Sequence, residues 1–344
     1  MSDLTPPPRY DNARIDSYIP QTESQAVAQD KARTFIRLVR VRTRRPSWMR
    51  LFKRDDGLRG GLYLVGPVGT GKTHLIASMY HELVSLDDGS DPVPCAYTHS
   101  SALFRATETP DAYAERIAKQ ARVLFLDEVE LDDPAGEVRL IGVLKALRER
   151  GVTLAATSNA EPDSFVSAAF GRDRLERFIS EEFARQYHVV FIGGDDFRQQ
   201  LEKPGRAWIG PKEAASTAMR DAFEQAPEPK RWIEFDDLLK LTTNVERTRL
   251  TRELATSKAL FIDGIDVSNT DDALRLLRVA DDLYGERDPP VLSFTSETAP
   301  ANWFRSEDAH GAMAKGIAEK FSRTTSRLTA LAEVEHVDVE SPAR

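Results

Sequence analysis

The sequence predicts an α/β fold built on a parallel five-stranded sheet with helices on both faces, followed by a smaller C-terminal α/β unit. Three observations support this prediction. Short apolar runs alternate with helical patterns, as expected for parallel strands that are buried on both faces. The first apolar run leads directly into a glycine-rich segment, and the third ends in two adjacent acids.

The apolar runs set the expected positions of the strands and helices. Five strands are expected at Leu62–Val65, Cys95–Thr98, Val123–Leu126, Val152–Thr157 and His188–Ile192. Helices are expected at 24–41, 72–83, 111–120, 137–148 and 174–185. The C-terminal unit is expected to contain strands at 259–262 and 291–294 and a closing helix at about 311–332.

The glycine-rich segment fits the phosphate-binding P-loop pattern, a glycine and four variable residues followed by Gly-Lys-Thr. Its residues are Gly66, Pro67, Val68, Gly69, Thr70, Gly71, Lys72 and Thr73. A strand that delivers such a loop to a helix N-terminus presents backbone N–H groups to phosphates. We expect Lys72 to reach the β and γ phosphates of ATP and the Thr73 hydroxyl to help hold Mg²⁺.

The two acids that end the third strand resemble a Walker B pattern. Asp127 is expected beside the P-loop as a Mg²⁺ ligand, and Glu128 as the general base that orients the attacking water. Asn159 follows the next strand, where it could contact the γ-phosphate or the water, or cap the following helix. For an arginine that stabilises the transition state the candidates are Arg174 and Arg177, and Arg327 is the candidate γ-phosphate sensor.

Composition narrows the class of protein. The chain has 344 residues, a 41% apolar and 30% charged composition and a net charge of −8, which indicates a globular protein and argues against general nucleic-acid binding. With Cys95 alone, no intrachain disulfide or cysteine-based metal site is expected. No run approaches the ~20 apolar residues of a transmembrane helix, and a cytoplasmic protein is expected.

We divide the chain into six segments. They are a disordered tail (1–23), a helix and basic linker (24–60), the P-loop core (61–200), a proline-rich connector (201–230), the C-terminal α/β unit (231–335) and a tail (336–344). The basic residues between Arg40 and Arg54 are interleaved with aromatics, which favours either a solvated linker or a nucleic-acid contact.

The segment Leu124–Glu128 and its partner strand are echoed by Leu260–Gly264 and Ser293–Glu297. The echo lacks the second acid and a P-loop. We therefore expect a structural strand–helix–strand unit rather than a second ATPase site, with chance similarity between buried strands as the alternative.

From about Ser24 to Leu331 the chain resembles the ZapE-type cell-division ATPases and the AFG-like branch of the AAA+ P-loop proteins. The resemblance is carried by Gly61–Thr73, Leu124–Glu128, Gly142–Leu147, Gly151–Asn159, Ala259–Asp263 and Phe321–Leu328. The chain departs from the family pattern at Tyr97–Phe104 and at Phe170–Phe178, so we describe it as a divergent member.

This resemblance implies an ATP hydrolase that remodels a protein partner, with the cell-division apparatus and its tubulin-like polymer as the candidate, and a nucleotide-dependent homo-oligomer. The alternatives are a nucleic-acid-associated loader of the DnaC/IstB type and a scaffold that binds ATP without hydrolysing it.

Overall fold

The computed structural model describes residues 4–44, 61–85, 91–129, 134–159, 183, 186–194, 205–267, 270–303, 328 and 332–337. The chain forms two compact units, Met1–Phe197 and Arg198–Arg344. Each unit contains its own five-stranded sheet, in which every pair of neighbouring strands is parallel.

The first unit alternates strands and helices as the sequence predicts. Its strands are β1 (Gly61–Val65), β2 (Cys95–His99), β3 (Val123–Asp127), β4 (Thr153–Ser158) and β5 (Tyr187–Phe191). Its described helices are α1 (Glu23–Arg44), α2 (Lys72–Val84), α3 (Ser100–Arg105), α4 (Pro110–Gln120) and α5 (Pro134–Glu149). The strands lie in the order β2-β3-β4-β1-β5. Therefore β1, which precedes the P-loop, and β3, which leads into the two acids, each have a neighbouring strand on both sides.

Each face of this sheet is covered by helices. Alternate residues of the strands pack on one face against α1 and α2, and on the other face against α4 and α5. All five residues of β1 and of β3 are buried, which explains why these strands read as continuous apolar runs instead of alternating ones.

The N-terminal segment is more ordered than the expected disordered tail (1–23). Residues Pro8–Tyr10 and Ile15–Ser17 form 3₁₀ turns, and the side chain of Ile15 is 1% exposed. Gln29 of α1 donates hydrogen bonds to the backbone oxygens of Ile15 and Tyr18, at 2.8 Å each. The prediction fails because this segment is held by single buried side chains and backbone contacts, which leave no periodic pattern.

The second unit is also an α/β sheet. Its strands are β6 (Gly205–Ile209), β7 (Lys230–Glu234), β8 (Ala259–Asp263), β9 (Val291–Ser296) and β10 (Ala332–His336), in the order β10-β6-β9-β8-β7. Its described helices are α6 (Lys212–Gln225), α7 (Phe235–Asn244), α8 (Arg247–Ala255) and α9 (Thr270–Gly285). One face packs against α6 and the other against α7, α8 and α9.

The expected connector at 201–230 is wrong, because this segment supplies β6 and α6. Its prolines mark the boundaries of elements: Pro211 is the N-cap of α6, and Pro227 and Pro229 lie between α6 and β7. The closing helix was expected to reach residue 332, but β10 begins at this residue, so the predicted end of the helix is too late.

The predicted fold class, a parallel five-stranded sheet covered on both faces with a further α/β unit, is confirmed. All seven strands predicted from apolar runs are present within a residue or two of their expected bounds. The helix expected at 174–185 and most of the one at 311–332 lie outside the described residues. Among the helices that the structure describes, none has the length and apolarity required to cross a bilayer.

Candidate nucleotide-binding site

The loop between β1 and α2 has the backbone of a phosphate cradle. Gly69 and Gly71 have φ values of 81° and 87°, in the left-handed region where a Cβ is costly. Gly71 is also the N-cap of α2, so the first N–H groups of the helix face the loop. The glycine spacing in the sequence is therefore what allows this turn to present its amides to an anion.

Lys72 is drawn into the loop. Its ammonium group donates to the backbone oxygens of Gly66 and Pro67, at 2.7 and 2.6 Å, and the residue is only 7% exposed. The positive charge is thus held at the centre of the cradle by two neutral carbonyl groups.

Asp127, the last residue of β3, is the centre of a buried hydroxyl cluster. Its Oδ1 accepts hydrogen bonds from Thr157 at 2.5 Å and from Thr73 at 3.2 Å, and its Oδ2 accepts one from Tyr97 at 2.8 Å. Burial is the main cause that raises the pKa of Asp127, the charge of Glu128 adds to it, and the hydrogen bonds from Thr157 and Tyr97 oppose it.

Glu128 follows in a strained backbone conformation. Its φ is 52°, which costs a residue with a side chain about 1–2 kcal/mol. The conformation is fixed on two sides, because its N–H donates to Thr157 Oγ1 at 2.8 Å and its carbonyl accepts from Ser100 Oγ at 2.5 Å. Its carboxylate Oε2 lies 3.0 Å from His99 Nε2. These three contacts therefore fix the backbone of Glu128 and hold its carboxylate beside His99.

The structure brings most of the predicted site residues to one edge of the sheet. Lys72, Thr73, Asp127 and Glu128 lie at the carboxyl ends of β1 and β3, and Asn159 follows the neighbouring β4. This is where ligands bind in open parallel sheets. Asn159 is half-buried, directly after the fully buried Thr157 and Ser158. Arg174, Arg177 and Arg327 lie outside the described residues.

The N-terminal segment reaches this loop as well. The Tyr18 hydroxyl donates to the backbone oxygen of Thr70 at 2.9 Å, and the Tyr18 ring lies against Gly71 where a Cβ would clash. His74 of α2 packs beside the Tyr18 ring at a centroid distance of 5.8 Å, and burial lowers the pKa of His74. One wall of the loop is therefore built by residues that come long before it in the sequence.

Four residues of this site were not identified from the sequence. They are Tyr18, Tyr97, His99 and Thr157, the last in its role as a hydrogen-bond donor to Asp127. The sequence held a signal for Tyr97 and His99. The strand at 95–98 was predicted, and in a parallel sheet its end meets the end of β3, where His99 lies in register with Asp127. Tyr18 had no such signal, because a single aromatic residue in a polar segment carries no pattern.

Comparison with known proteins adds the family. The model of the AFG1-like ATPase family matches residues 4–232. Cell division protein ZapE of Escherichia coli (strain K12) is 29% identical over 173 residues, which are 47% of this chain and 44% of that protein. An uncharacterized protein of Schizosaccharomyces pombe is 26% identical over 178 residues, 49% of this chain and 39% of that protein. The matched segment thus spans less than half the length of these curated relatives.

Two of the solved structures that resemble this chain are the following. DnaI has a TM-score of 0.41 and 18% identity, over 55% of this chain and 93% of that one. Domain III of the replication initiation protein DnaA from Thermotoga maritima has a TM-score of 0.39 and 14% identity, over 72% of this chain and 88% of that one. Because the family model covers well over half of the residues, the chain belongs to the AFG1-like ATPase family.

Proposed function

We propose that the protein is an ATPase of the AAA+ type that binds Mg-ATP at the loop Gly66–Thr73 and hydrolyses the bond between the β and γ phosphates. The observation that carries this proposal is the 3.2 Å hydrogen bond from Thr73 to Asp127, which joins the phosphate loop to the acidic end of β3. Membership of the AFG1-like ATPase family supports it.

Phosphate binding is assigned to the amides of the loop and to Lys72. The non-bridging oxygens of a phosphate group share its negative charge, and charge-assisted hydrogen bonds are about twice as strong as those to neutral acceptors. The Lys72 ammonium is therefore expected to exchange the carbonyls of Gly66 and Pro67 for the β and γ phosphates. The remaining loop residues, Val68 and Thr70, are assigned to the same site because they flank Gly69 in the loop.

Thr73 Oγ1 and the Asp127 carboxylate are hard oxygen donors placed side by side, and this donor set fits Mg²⁺. We assign these two residues to the metal, directly or through its water molecules. When bound, the ion neutralises charge on the β and γ phosphates.

Glu128 is assigned as the base that holds the attacking water. Its side chain is 15% exposed, so a part of it is accessible while most of it is shielded from solvent. A strained backbone at a carboxylate beside such a loop is typical of a functional residue. Asn159 is assigned to the γ-phosphate or the water, and Arg174, Arg177 and Arg327 remain the candidates for charge stabilisation.

For the partner we propose a protein substrate, with the cell-division apparatus and its tubulin-like polymer as the candidate, acted on by a nucleotide-dependent homo-oligomer in the cytoplasm. The support is the similarity to cell division protein ZapE over 173 residues. Co-purification from the native host would identify the partner, and recovery without any division protein would contradict this candidate.

The alternative of a DnaC/IstB-like loader depends on the basic residues that follow Val39. The part of α1 that the structure describes gives this alternative little support. Arg40, the first residue of the basic stretch, donates to the backbone oxygen of Glu82 at 2.5 Å. A loader should bind DNA with an affinity that falls steeply as salt is added, whereas our proposal expects no such binding.

The test of the proposed activity is steady-state phosphate release from Mg-ATP. We expect Glu128→Gln to retain ATP binding and to lower turnover by at least about a hundredfold, the usual scale for general-base loss. Lys72→Ala should weaken ATP binding, measured by calorimetry.

The same change at Glu297, which follows β9 in the second unit, is the matched control for the base and should leave turnover unchanged. Unaltered turnover in Glu128→Gln would refute the base, and a wild-type protein that binds ATP without releasing phosphate would indicate the nucleotide-dependent scaffold.

A further inference from the structure

The two sheets of the protein have the same topology. In chain order the first unit runs β1-α2-β2-α3-α4-β3-α5-β4-β5, and the second runs β6-α6-β7-α7-α8-β8-α9-β9-β10 over the described elements. The spatial orders β5-β1-β4-β3-β2 and β10-β6-β9-β8-β7 then correspond strand for strand. The second unit repeats the first, although the family match ends at residue 232.

The hydrogen bonds at the carboxyl edge of the sheet repeat as well. Thr295 donates to Asp263 at 2.6 Å and accepts from the Gly264 N–H at 2.6 Å, as Thr157 does with the two acids of the first unit at 2.5 and 2.8 Å. Ser296 donates to the backbone oxygen of Ile265 at 2.8 Å, matching the 2.8 Å bond of the residue after Thr157. Chance similarity between two buried strands does not reproduce such a set.

The helix after the first strand of each unit is aligned by a hydroxyl and an aromatic ring. Ser216 donates to Asp263 at 2.7 Å, in the role that Thr73 has toward its own aspartate. Seven residues later stands Phe223, which meets a stacked aromatic pair edge-on, Trp232 with Phe261. In the first unit Tyr80 meets the stacked pair of Tyr97 and Phe125 in the same way.

In the part of this repeat that the structure describes, the counterparts of the nucleotide-contacting residues of the first unit are replaced. Between Gly210 and Ser216 the chain has Pro-Lys-Glu-Ala-Ala, and α6 already begins at Lys212, so a helical turn stands where the first unit has its glycine loop. The residue before Ser216 is Ala215, the counterpart of Lys72.

The repeat has different residues at the positions that correspond to Glu128 and Asn159. The counterpart of Glu128 is Gly264, whose φ of 70° repeats the left-handed backbone without its strain. The counterpart of Asn159 is Glu297, an acid that would repel the γ-phosphate. The cavity at this edge has a volume of about 220 Å³, below the range of roughly 300–1,000 Å³ of ordinary ligand pockets.

What was kept and what was lost follow one rule. The kept groups, Ser216, Asp263 and Thr295, bond to one another inside the protein, and the first two stand where the first unit has its proposed metal ligands. The lost groups are the glycine loop, the lysine and the base, whose proposed task is to contact ATP or water. We propose that the second unit is an internal repeat of the ATPase fold that has lost nucleotide binding, so that each chain carries a single nucleotide site. This proposal rests on the proposed function for its assignment of the first unit.

The test is the stoichiometry of a non-hydrolysable ATP analogue on the full chain, measured by calorimetry with Mg²⁺. We expect one equivalent per chain, lost in Lys72→Ala. The matched variants Lys212→Ala and Asp263→Asn should change the affinity by less than about twofold, because neither residue meets the analogue.

A second measurement tests the structural role of the kept groups. Asp263→Ala should lower the Tm of the second unit by about 5 °C, since the buried Thr295 hydroxyl and the half-buried Ser216 hydroxyl lose their acceptor, with the analogue affinity unchanged.

Two equivalents per chain, or a site that survives Lys72→Ala and disappears when Asp263→Asn is added, would overturn the proposal. Loss of analogue affinity in Asp263→Ala at a temperature where the variant is folded would also overturn it. Absence of any bound analogue in the wild type would instead refute the proposed function, while agreeing with a second unit that binds no nucleotide.

Discussion

The strained backbone at Glu128 leads to a prediction about stability that is separate from catalysis. Among the described residues it is the one non-glycine residue with a positive φ, at 52°. We predict that Glu128→Gly is more stable than Glu128→Ala. Both changes remove the carboxylate and its contact with His99, so they differ only in the Cβ that the left-handed backbone must accommodate.

The magnitude follows from two opposing effects. A Cβ in the left-handed region costs about 1–2 kcal/mol, which the glycine variant recovers. Glycine also increases the freedom of the unfolded chain, which costs about 0.4–1 kcal/mol. The net advantage of Glu128→Gly over Glu128→Ala is therefore about 0.5–1 kcal/mol. At a position with ordinary backbone angles the sign would be reversed.

The second unit offers a matched control. Gly264 occupies the equivalent position with a φ of 70°, and a Cβ there would meet no atom closer than Lys212 Cε at 3.5 Å. Gly264→Ala therefore tests the backbone effect without a steric clash, and it should destabilise its unit by about 0.5–1 kcal/mol.

The assay is urea unfolding followed by far-ultraviolet circular dichroism in magnesium-free buffer, so that no ligand stabilises the native state. Both Glu128 variants should also lack ATP turnover, which separates stability from function in the same proteins. A Glu128→Gly protein that is no more stable than Glu128→Ala would refute the strain that we assign to this residue, and a neutral Gly264→Ala would refute the argument from the repeat.

Three further predictions concern single residues. Because its pKa is raised, Asp127 makes the native state lose stability as the pH rises from about 4, its unfolded value, through the raised pKa. Asp127→Asn should thus be more stable than the wild type at pH 8 without Mg²⁺ but not at pH 4, and equal urea midpoints at pH 8 would contradict this. Desolvation raises the pKa of the half-buried Cys95 to about 12, so the folded protein should react with a thiol reagent at pH 8 about a thousand times more slowly than the unfolded one. Equal rates would show that folding does not raise the pKa of this thiol. Gly71→Ala would place a Cβ against the Tyr18 ring at a φ of 87° and should lower the free energy of unfolding by about 2–3 kcal/mol. Part of this loss should be recovered when Tyr18→Ala is added. A double mutant that recovers none of it would show that the ring does not contact this residue.

The first sheet and the phosphate loop were predictable because their signals are local. A buried parallel strand is apolar along its whole length, so β1 and β3 stand out in the sequence without knowledge of their neighbours. The loop residues Gly69 and Gly71 are likewise required by the backbone angles of the turn itself. Such features depend on residues that are adjacent in the chain.

The second unit was only partly predictable. Its two central apolar strands, β8 and β9, were identified, but β6, β7 and β10 are interrupted by charged residues and were missed. The echo of the Asp127 segment was visible, yet its meaning depended on the hydrogen bonds of Asp263 and Thr295, which no sequence pattern specifies.

From its sequence alone, the chain determines which residues form the strands, where the glycines relieve the backbone, and which side chains bring charge to the phosphate loop. Only the tertiary structure decides that Tyr97, Thr73 and Thr157 converge on one carboxylate, that Tyr18 closes one wall of the loop, and that a second sheet repeats the first. The physical reason is distance along the chain: the three hydroxyl groups that meet at Asp127 come from separate elements, and packing of the sheet is what brings them together.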